Sequence, residues 1–533
     1  MLSSRNVNMP LVHVESSEDT TMTRKTGDNN ILHGMSRCRQ IVLSLVLPLV
    51  VAGLLYSVTL TDDLFGDEFA QYRFSVVNYE THNSYYPLDV NTLFARIGYL
   101  LLGEPWAMRL HSLILSLGSI VLIWMVAKHC FDSRTATLAA WLAAFSPYLI
   151  EFATEARPNA IFIFAGILFL YALLRFIENN SWANTLLLIF SAYFGLQARP
   201  MFVAILLFGI IYHIVRQRRI TFKLALVSLA TVPLIIRMYY NMMELSNILP
   251  KASSDVPPSI LNLLFRLPMA FTYGYCTLNY PERDAGWNIS TGEVLLQNMT
   301  SVVVACIVFC ALLVGFVQLL KKTKSQTVFL VGAVVLPILI LLAVQETGFS
   351  MLNEKHFAGV AGAYYVLLAG IIVHISRFSW GKCAALLYAC LVAVSLFHFY
   401  FQPEIYSRRS NYTALNSFLM DALKNDDLLM CYHWPSQNQP NPLTVLDGAG
   451  SFVDMYRDRP DGMYIGEYMA SVDAACSGKI YLIYDSRTRR MTDSSNCVLP
   501  FLKKQRDFVV RRYGRNLSLY EFSEIHESKS QRP

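Results

Sequence analysis

The chain has 533 residues, 54% of them hydrophobic and only 15% charged, with a mean hydropathy of +0.38. Soluble proteins carry about a quarter charged residues, so this composition argues against one long water-soluble fold. The formal charge of +6 is small for the length and carries no signal for nucleic acid, so the information lies in where the basic residues fall.

Residues 1–40 are polar, without apolar periodicity, and read as a disordered tail. They do not read as a signal peptide, because the first apolar run starts late and lacks a small-residue cleavage site. That run, Ile41–Leu60, is long enough to cross about 30 Å of hydrocarbon at about 1.5 Å per residue. Loop Thr61–Met108 follows, rich in Asp, Tyr and Asn, and its half-apolar stretch Leu93–Leu102 reads as an interfacial helix with Pro105 and Trp106 at the membrane surface. Further apolar runs cover Leu110–Ala127, Thr135–Phe152, Ala160–Phe176, Thr185–Leu196, Phe202–Val215 and Leu224–Tyr240. After a second long loop come Ser301–Leu320, Thr327–Val344, Ala358–Ile375 and Ala384–Phe401. The expectation is a polytopic α-helical membrane protein with about eleven transmembrane helices. The runs at Thr185 and Phe202 are short and could form one re-entrant hairpin, although Gln197-Ala198-Arg199-Pro200 between them reads better as a turn at one membrane face.

Basic residues set the orientation. Arg37 and Arg39 precede the first span, and Lys128, Arg134, Arg175, Arg216, Arg218, Arg219, Lys223, Lys321, Lys322, Lys324, Arg377 and Lys382 crowd alternate connectors. The positive-inside rule assigns that side to the cytoplasm, so the long loops and the C-terminal segment face outward. From about Gln402 the chain turns polar, with short β-like runs at Leu428–Tyr432, Ile480–Tyr484, Phe508–Val510 and Leu517–Phe522, the pattern of a small α/β domain. The chain divides into a cytoplasmic tail 1–40, a transmembrane domain 41–401 and an extracytoplasmic domain 402–533. Cys476 and Cys497 share the last of these, and spacing alone assigns no bond between them.

Three polar clusters fall on the outward face. Asp62, Asp63, Asp67 and Glu68 follow the first span; Glu151, Thr154, Glu155 and Arg157 end the third; Asn353, Glu354, Lys355 and His356 precede the tenth. Carboxylates at an apolar boundary can serve as a general base or hold a cation, and cations beside them can meet a phosphate. The bland alternatives are a solvated loop for the first cluster and side chains reaching to water for the second. Convergence over a helical bundle suits a reaction on a lipid-linked, phosphorylated substrate: one carboxylate deprotonates a hydroxyl and the cations stabilise the leaving phosphate.

Between Asp62 and Arg175 the sequence resembles the dolichyl-phosphate-mannose protein mannosyltransferase group of the GT-C glycosyltransferases, which includes bacterial enzymes that modify lipid A with aminoarabinose. Gly66-Asp67-Glu68, Tyr86-Pro87-Leu88, the segment Leu102 to Leu110, Phe145-Ser146-Pro147 and Thr154-Glu155-Ala156-Arg157-Pro158 carry the resemblance, which extends more weakly to Lys355-His356-Phe357. It implies a GT-C-type bundle with interfacial helices in the first outer loop. It also implies Asp67 as catalytic base with Glu68 beside it, and Arg157, Lys355, His356 and Arg109 at the donor phosphate. Glu155, Tyr86 and Pro87 would support the site. The chain departs from relatives in Tyr85-Tyr86-Pro87-Leu88, where they often show His-Pro-Pro-Leu, and in Lys355-His356 in place of Arg-Tyr, which exchanges a bidentate donor for a point charge.

The leading expectation is therefore transfer of a sugar from a polyprenyl-phosphate donor to a protein, lipid or glycan acceptor at the outer membrane face. No cofactor is called for, and a divalent cation stays open. The alternatives are a transporter or flippase of lipid-linked sugars and a non-catalytic scaffold. Transporters tend to show repeated halves and charges near the midplane, whereas here no internal repeat is seen and the charges gather at one face. The C-terminal domain favours a bacterial inner membrane. The outward sequons at Asn288, Asn298, Asn411 and Asn516 also permit the endoplasmic reticulum.

Overall fold

The structure is a computed structural model that describes residues 41–62, 67–80, 89–248, 260–274, 299–346, 354–402, 412–424, 426–431, 451–454, 478–485, 498–514 and 517–523. Residues 1–40, Tyr86, Pro87, Cys476, Cys497 and the four sequon asparagines lie outside them. Among the described residues, six helices are long and apolar enough to cross a membrane, and seven if one bent pair counts as a single span. The chain is a multi-pass integral membrane protein.

Helix α1 (Val42–Val58) opens the bundle and is shorter than the other apolar helices that reach across. The outer loop after it holds α2 (Asp67–Tyr72), α3 (Val90–Leu102) and a 3-10 turn, Pro105–Arg109. Asp89 starts α3 by accepting the Asn91 and Thr92 backbone N–H groups, at 3.1 and 3.3 Å. Gly103, at φ 75°, ends it in the left-handed conformation that glycine adopts at little cost. Leu93, Ile97, Leu100, Leu101 and Leu102 stay exposed along α3, as an interfacial helix requires.

Helix α4 (Leu110–Cys130) returns through the membrane. The next apolar run, read from sequence as one span Thr135–Phe152, is broken into α5 (Ser133–Ala144) and α6 (Pro147–Ala153), bent by 59°. The break has a local cause. Ser146 caps α6 through the Leu149 N–H at 3.1 Å, and Pro147 occupies the first helical position, so Phe145-Ser146-Pro147 ends one helix and starts another. Then follow α7 (Asn159–Glu178), α8 (Trp182–Ala198), α9 (Phe202–Gln217), α10 (Phe222–Ile248) and the loop helix α11 (Ile260–Tyr273). Helices α12 (Met299–Lys322), α13 (Lys324–Glu346), α14 (Ala361–Ile375) and α15 (Ser379–Phe401) complete the bundle, with a 3-10 segment, Glu354–Val360, leading into α14.

Burial identifies the centre. The spans Asn159–Glu178 and Glu354–Ile375 are 72% and 78% enclosed, against 28% for Val302–Lys322, so α7 and α14 form the axis and α12 faces lipid. The two central spans begin beside the Glu155–Arg157 and Glu354–His356 clusters, which puts the start of each at the candidate site.

The C-terminal residues fold as a five-stranded sheet of order β2-β1-β3-β5-β4, made of β1 (Leu428–Cys431), β2 (Ser451–Asp454), β3 (Ile480–Asp485), β4 (Asp507–Gly514) and β5 (Leu517–Ser523). Strand β1 runs parallel to β2 and β3, while β5 is antiparallel to β3 and β4. One face packs Met430, Ile480 and Phe522 against Val498, Leu499 and Leu502 of α17 (Val498–Gln505). The other packs Leu429, Tyr481 and Leu519 against Leu415 and Leu419 of α16 (Tyr412–Ala422). Coverage of both faces explains why β1 reads as a continuous apolar run rather than an alternating one.

Candidate active site

The site grows from one buried carboxylate. Glu68, on the second residue of α2, is fully buried, and so is Arg109 at the end of the 3-10 turn. Arg109 donates from Nε to Glu68 Oε1 at 2.9 Å and from Nη2 to Oε2 at 2.6 Å, a bidentate pair. Its Nη1 donates to the carbonyls of Leu60 and Asp62 at 2.8 and 2.5 Å, tying the outer end of α1 to the same guanidinium. Glu68 Oε1 also accepts the backbone N–H of Ala156 at 2.6 Å. One carboxylate thus holds α2, the Pro105–Arg109 turn and the Glu155-Ala156-Arg157 turn together.

Polar side chains extend this junction. Ser112 donates to the Glu155 carbonyl at 2.7 Å, and its hydroxyl lies 3.2 Å from His111 Nε2. That ring nitrogen lies 3.1 Å from Asn91 Oδ1, and Asn91 donates to Gln71 Oε1 at 2.7 Å. Gln71 in turn donates to Ser75 and Thr92, both at 2.9 Å. Helices α2, α3 and α4 are therefore registered to one another by directional bonds, which an apolar contact would not supply.

The cations collect on the other side of the same turn. Asn159, the first residue of α7, donates to Glu155 Oε2 at 2.9 Å and accepts from Arg199 Nε and Nη2 at 3.1 and 2.6 Å. Lys355 and the buried His356 follow Glu354 on the 3-10 segment Glu354–Val360. Tyr148 donates to the Glu354 carbonyl at 3.2 Å, anchoring the first residue of the 3-10 segment that carries Lys355 and His356. That segment lies against α7 through paired glycines: a Cβ on Gly166 would overlap the Gly359 carbonyl, and one on Gly359 would come within 2.7 Å of Phe162 and Ile205. Gly166→Ala is expected to cost about 1–3 kcal/mol by overpacking. It should also push Lys355 and His356 away from Arg157, read as a lower melting temperature together with weaker binding of a polyprenyl phosphate.

The residues singled out from sequence are thus distributed as follows. Glu155 and Arg157 share one turn, and Lys355 and His356 share the 3-10 segment packed on α7, so these four come from two separate stretches of chain. Asp67 begins α2, directly before Glu68, and its side chain lies outside the described atoms, as do Tyr86 and Pro87. Glu68 and Arg109 depart from their expected roles as catalytic carboxylate and phosphate contact. Each is the other's partner, and both are fully buried. Asp62 stays exposed, engaged through its carbonyl by Arg109. Among the described residues no group of three or more His, Cys, Asp or Glu side chains is arranged to hold a metal ion.

Sequence reading treated Arg199 only as part of a turn. A signal was present: Ala198-Arg199-Pro200 repeats the Ala156-Arg157-Pro158 pattern, with Pro158 capping α7 and Pro200 standing just before the Met201 cap of α9. The residue before a proline is pushed to extended backbone, and Arg199 sits at φ −155°, ψ 138°, which ends α8 there.

Residues 90–240 match the family model described as dolichyl-phosphate-mannose-protein mannosyltransferase. The match starts with α3 and takes in Arg109, Glu155, Arg157 and Arg199, together with the Leu102–Leu110 and Phe145–Pro158 motifs on which the resemblance rests. The curated proteins give no match. Among solved structures, ArnT from Cupriavidus metallidurans, in the apo state and bound to undecaprenyl phosphate, is similar at 12% identity and a TM-score of 0.47, covering 89% of this chain and 97% of that one. The oligosaccharyltransferase AglB from Archaeoglobus fulgidus, in complex with an inhibitory peptide and a dolichol-phosphate, is similar at 10% identity and a TM-score of 0.42, covering 92% of this chain and 74% of that one.

Proposed function

We propose that the protein is a membrane glycosyltransferase that moves a sugar from a polyprenyl-phosphate donor to a protein, lipid or glycan hydroxyl on the extracytoplasmic face. The observation that carries the reading is the gathering of cations at one turn: Arg199 is tied through Asn159 to Glu155, two residues before Arg157, the segment bearing Lys355 packs on the same helix α7, and Glu68 bonds that turn to the helix that begins with Asp67. Such an excess of positive charge at the start of the two central spans suits a phosphate whose lipid tail lies alongside the bundle. The sequence motifs and the family match over residues 90–240 support it.

In the proposed reaction the bond from sugar C1 to the phosphate oxygen breaks and a bond from C1 to the acceptor oxygen forms. Asp67 takes the acceptor's proton, and the leaving phosphate keeps the bonding electron pair. Negative charge grows on that phosphate in the transition state, where fixed cations stabilise it most. A bundle of eleven crossings in a bacterial inner membrane, with the N-terminus in the cytoplasm and the C-terminal domain outside, completes the proposal.

The test is carrier binding by the full chain in nanodiscs, with undecaprenyl phosphate and dolichyl phosphate as probes. A hydrogen bond to a charged group contributes about 1.5–3 kcal/mol, so Arg157→Ala, Lys355→Ala and Arg199→Ala should each weaken binding by roughly 10- to 100-fold. Unchanged affinity in all three, with the proteins folded, would discard the donor site.

A further inference from the structure

The carboxylate next to the proposed base has a different task from it. Glu68 is fully buried, bonded through both oxygens to Arg109, and its Oε1 also accepts the Ala156 N–H. Asp67 is the residue immediately before Glu68, and Arg157 the residue immediately after Ala156. The proposed base and a proposed phosphate cation are therefore each one residue, about 3.8 Å of backbone, from a single hydrogen bond. Ser112 reaches the same turn from α4, and Tyr72 of α2 packs near Ala156.

We infer that Glu68 is a positioning residue that fixes the spacing between Asp67 and Arg157, with Arg109 serving to orient its carboxylate. This deepens the reading of the site given above and rests on it for the roles of Asp67 and Arg157. The inference separates two functions of the carboxylate that a single substitution would confuse. Its charge balances Arg109, and its oxygen accepts the Ala156 amide. A buried pair can be replaced as a pair, whereas removing one partner strands the other's charge.

The experiment uses the full chain in nanodiscs and two double variants. Glu68→Gln/Arg109→Met removes both charges and keeps an oxygen that accepts from Ala156. Glu68→Leu/Arg109→Met removes both charges and the acceptor. Two quantities are read in each, alongside the melting temperature: exchange of the Ala156 amide hydrogen and affinity for undecaprenyl phosphate. The Gln variant should match the wild-type protein in both, rescuing the function of the carboxylate without its charge. The Leu variant should melt at the same temperature as the Gln variant, exchange the Ala156 amide at least tenfold faster and bind the carrier about tenfold more weakly. Equal exchange in the two variants would overturn the positioning role. So would faster exchange in the Leu variant with equal carrier affinity in the two, which would make the bond a structural brace that does not position the site. Arg157→Ala in the wild-type background separates the two ideas. If it leaves carrier affinity intact, the phosphate assignment fails, while the exchange comparison at Ala156 still decides whether Glu68 holds the turn.

Discussion

Asp67→Asn is expected to reduce sugar transfer by about 10²- to 10⁴-fold, the usual contribution of a general base, while carrier binding stays within about threefold. The substitution keeps the side chain's shape and removes only the basic oxygen. Transfer with inversion at C1 needs one base on the acceptor hydroxyl and a stabilised leaving phosphate, and it needs no second, nucleophilic carboxylate of the kind a retaining glycosidase uses. Of the two adjacent acids, Glu68 is the poorer candidate. Its oxygens are occupied by Arg109 and the Ala156 N–H, and it is closed to solvent. Asp67 starts α2 directly before it, and in the proposed reading an acceptor arriving from water meets there a donor held by Arg157 and Lys355. The measurement is incorporation of labelled sugar in membranes from cells that depend on the variant, set beside carrier binding by the purified protein. Near-normal incorporation would remove Asp67 from the mechanism. Loss of binding together with transfer would make it part of the donor seat instead.

The apolar runs and the motifs made much of this architecture legible, and particular residues show where legibility ended. Helices α4, α7, α12, α13, α14 and α15 lie on the apolar runs because a lipid-facing or enclosed segment must satisfy its own backbone, which leaves a simple compositional mark. The break between α5 and α6 was missed although Ser146-Pro147 is a helix-start signal, because the apolar residues continue straight through it. Strand β2 (Ser451–Asp454) has only Phe452 and Val453 as apolar residues, too short a run to stand out; its pairing with β1 defines it.

The site was legible in its residue types and not in its pairings. Asp67-Glu68 and Glu155-Ala156-Arg157 announced themselves, but nothing local says that Glu68 closes on Arg109, 41 positions away, or on Ala156, 88 positions away. A carboxylate that serves as structure and one that serves as chemistry look alike in sequence, since the difference lies in which of them the fold surrounds. Arg199 was hidden for the same reason: its partner Asn159 is 40 positions distant.

Arg109→Met alone should cost about 3–5 kcal/mol of stability, the largest structural effect expected in the protein. Arg109 is fully buried, and its guanidinium makes four hydrogen bonds, two to Glu68 and one each to the Leu60 and Asp62 carbonyls. Methionine fills similar volume, so the loss is electrostatic rather than a cavity. Glu68 is left as an unpaired buried charge, and two carbonyls lose their donor. Arg109→Lys should recover little, because an ammonium cannot engage both carboxylate oxygens and both carbonyls in the same plane. The contrast is Lys479→Ala in the C-terminal sheet, which removes a 2.6 Å pair with Glu521. Lys479's side chain is 48% exposed, so water replaces the partner and the cost is about 0–1 kcal/mol. Thermal unfolding of the two variants in the same detergent separates these cases, with Arg109→Met expected to melt far below Lys479→Ala. Equal melting temperatures would mean that water reaches the Glu68–Arg109 pair, and the junction joining α1, α2 and the Arg157 turn would then lack the rigidity assigned to it.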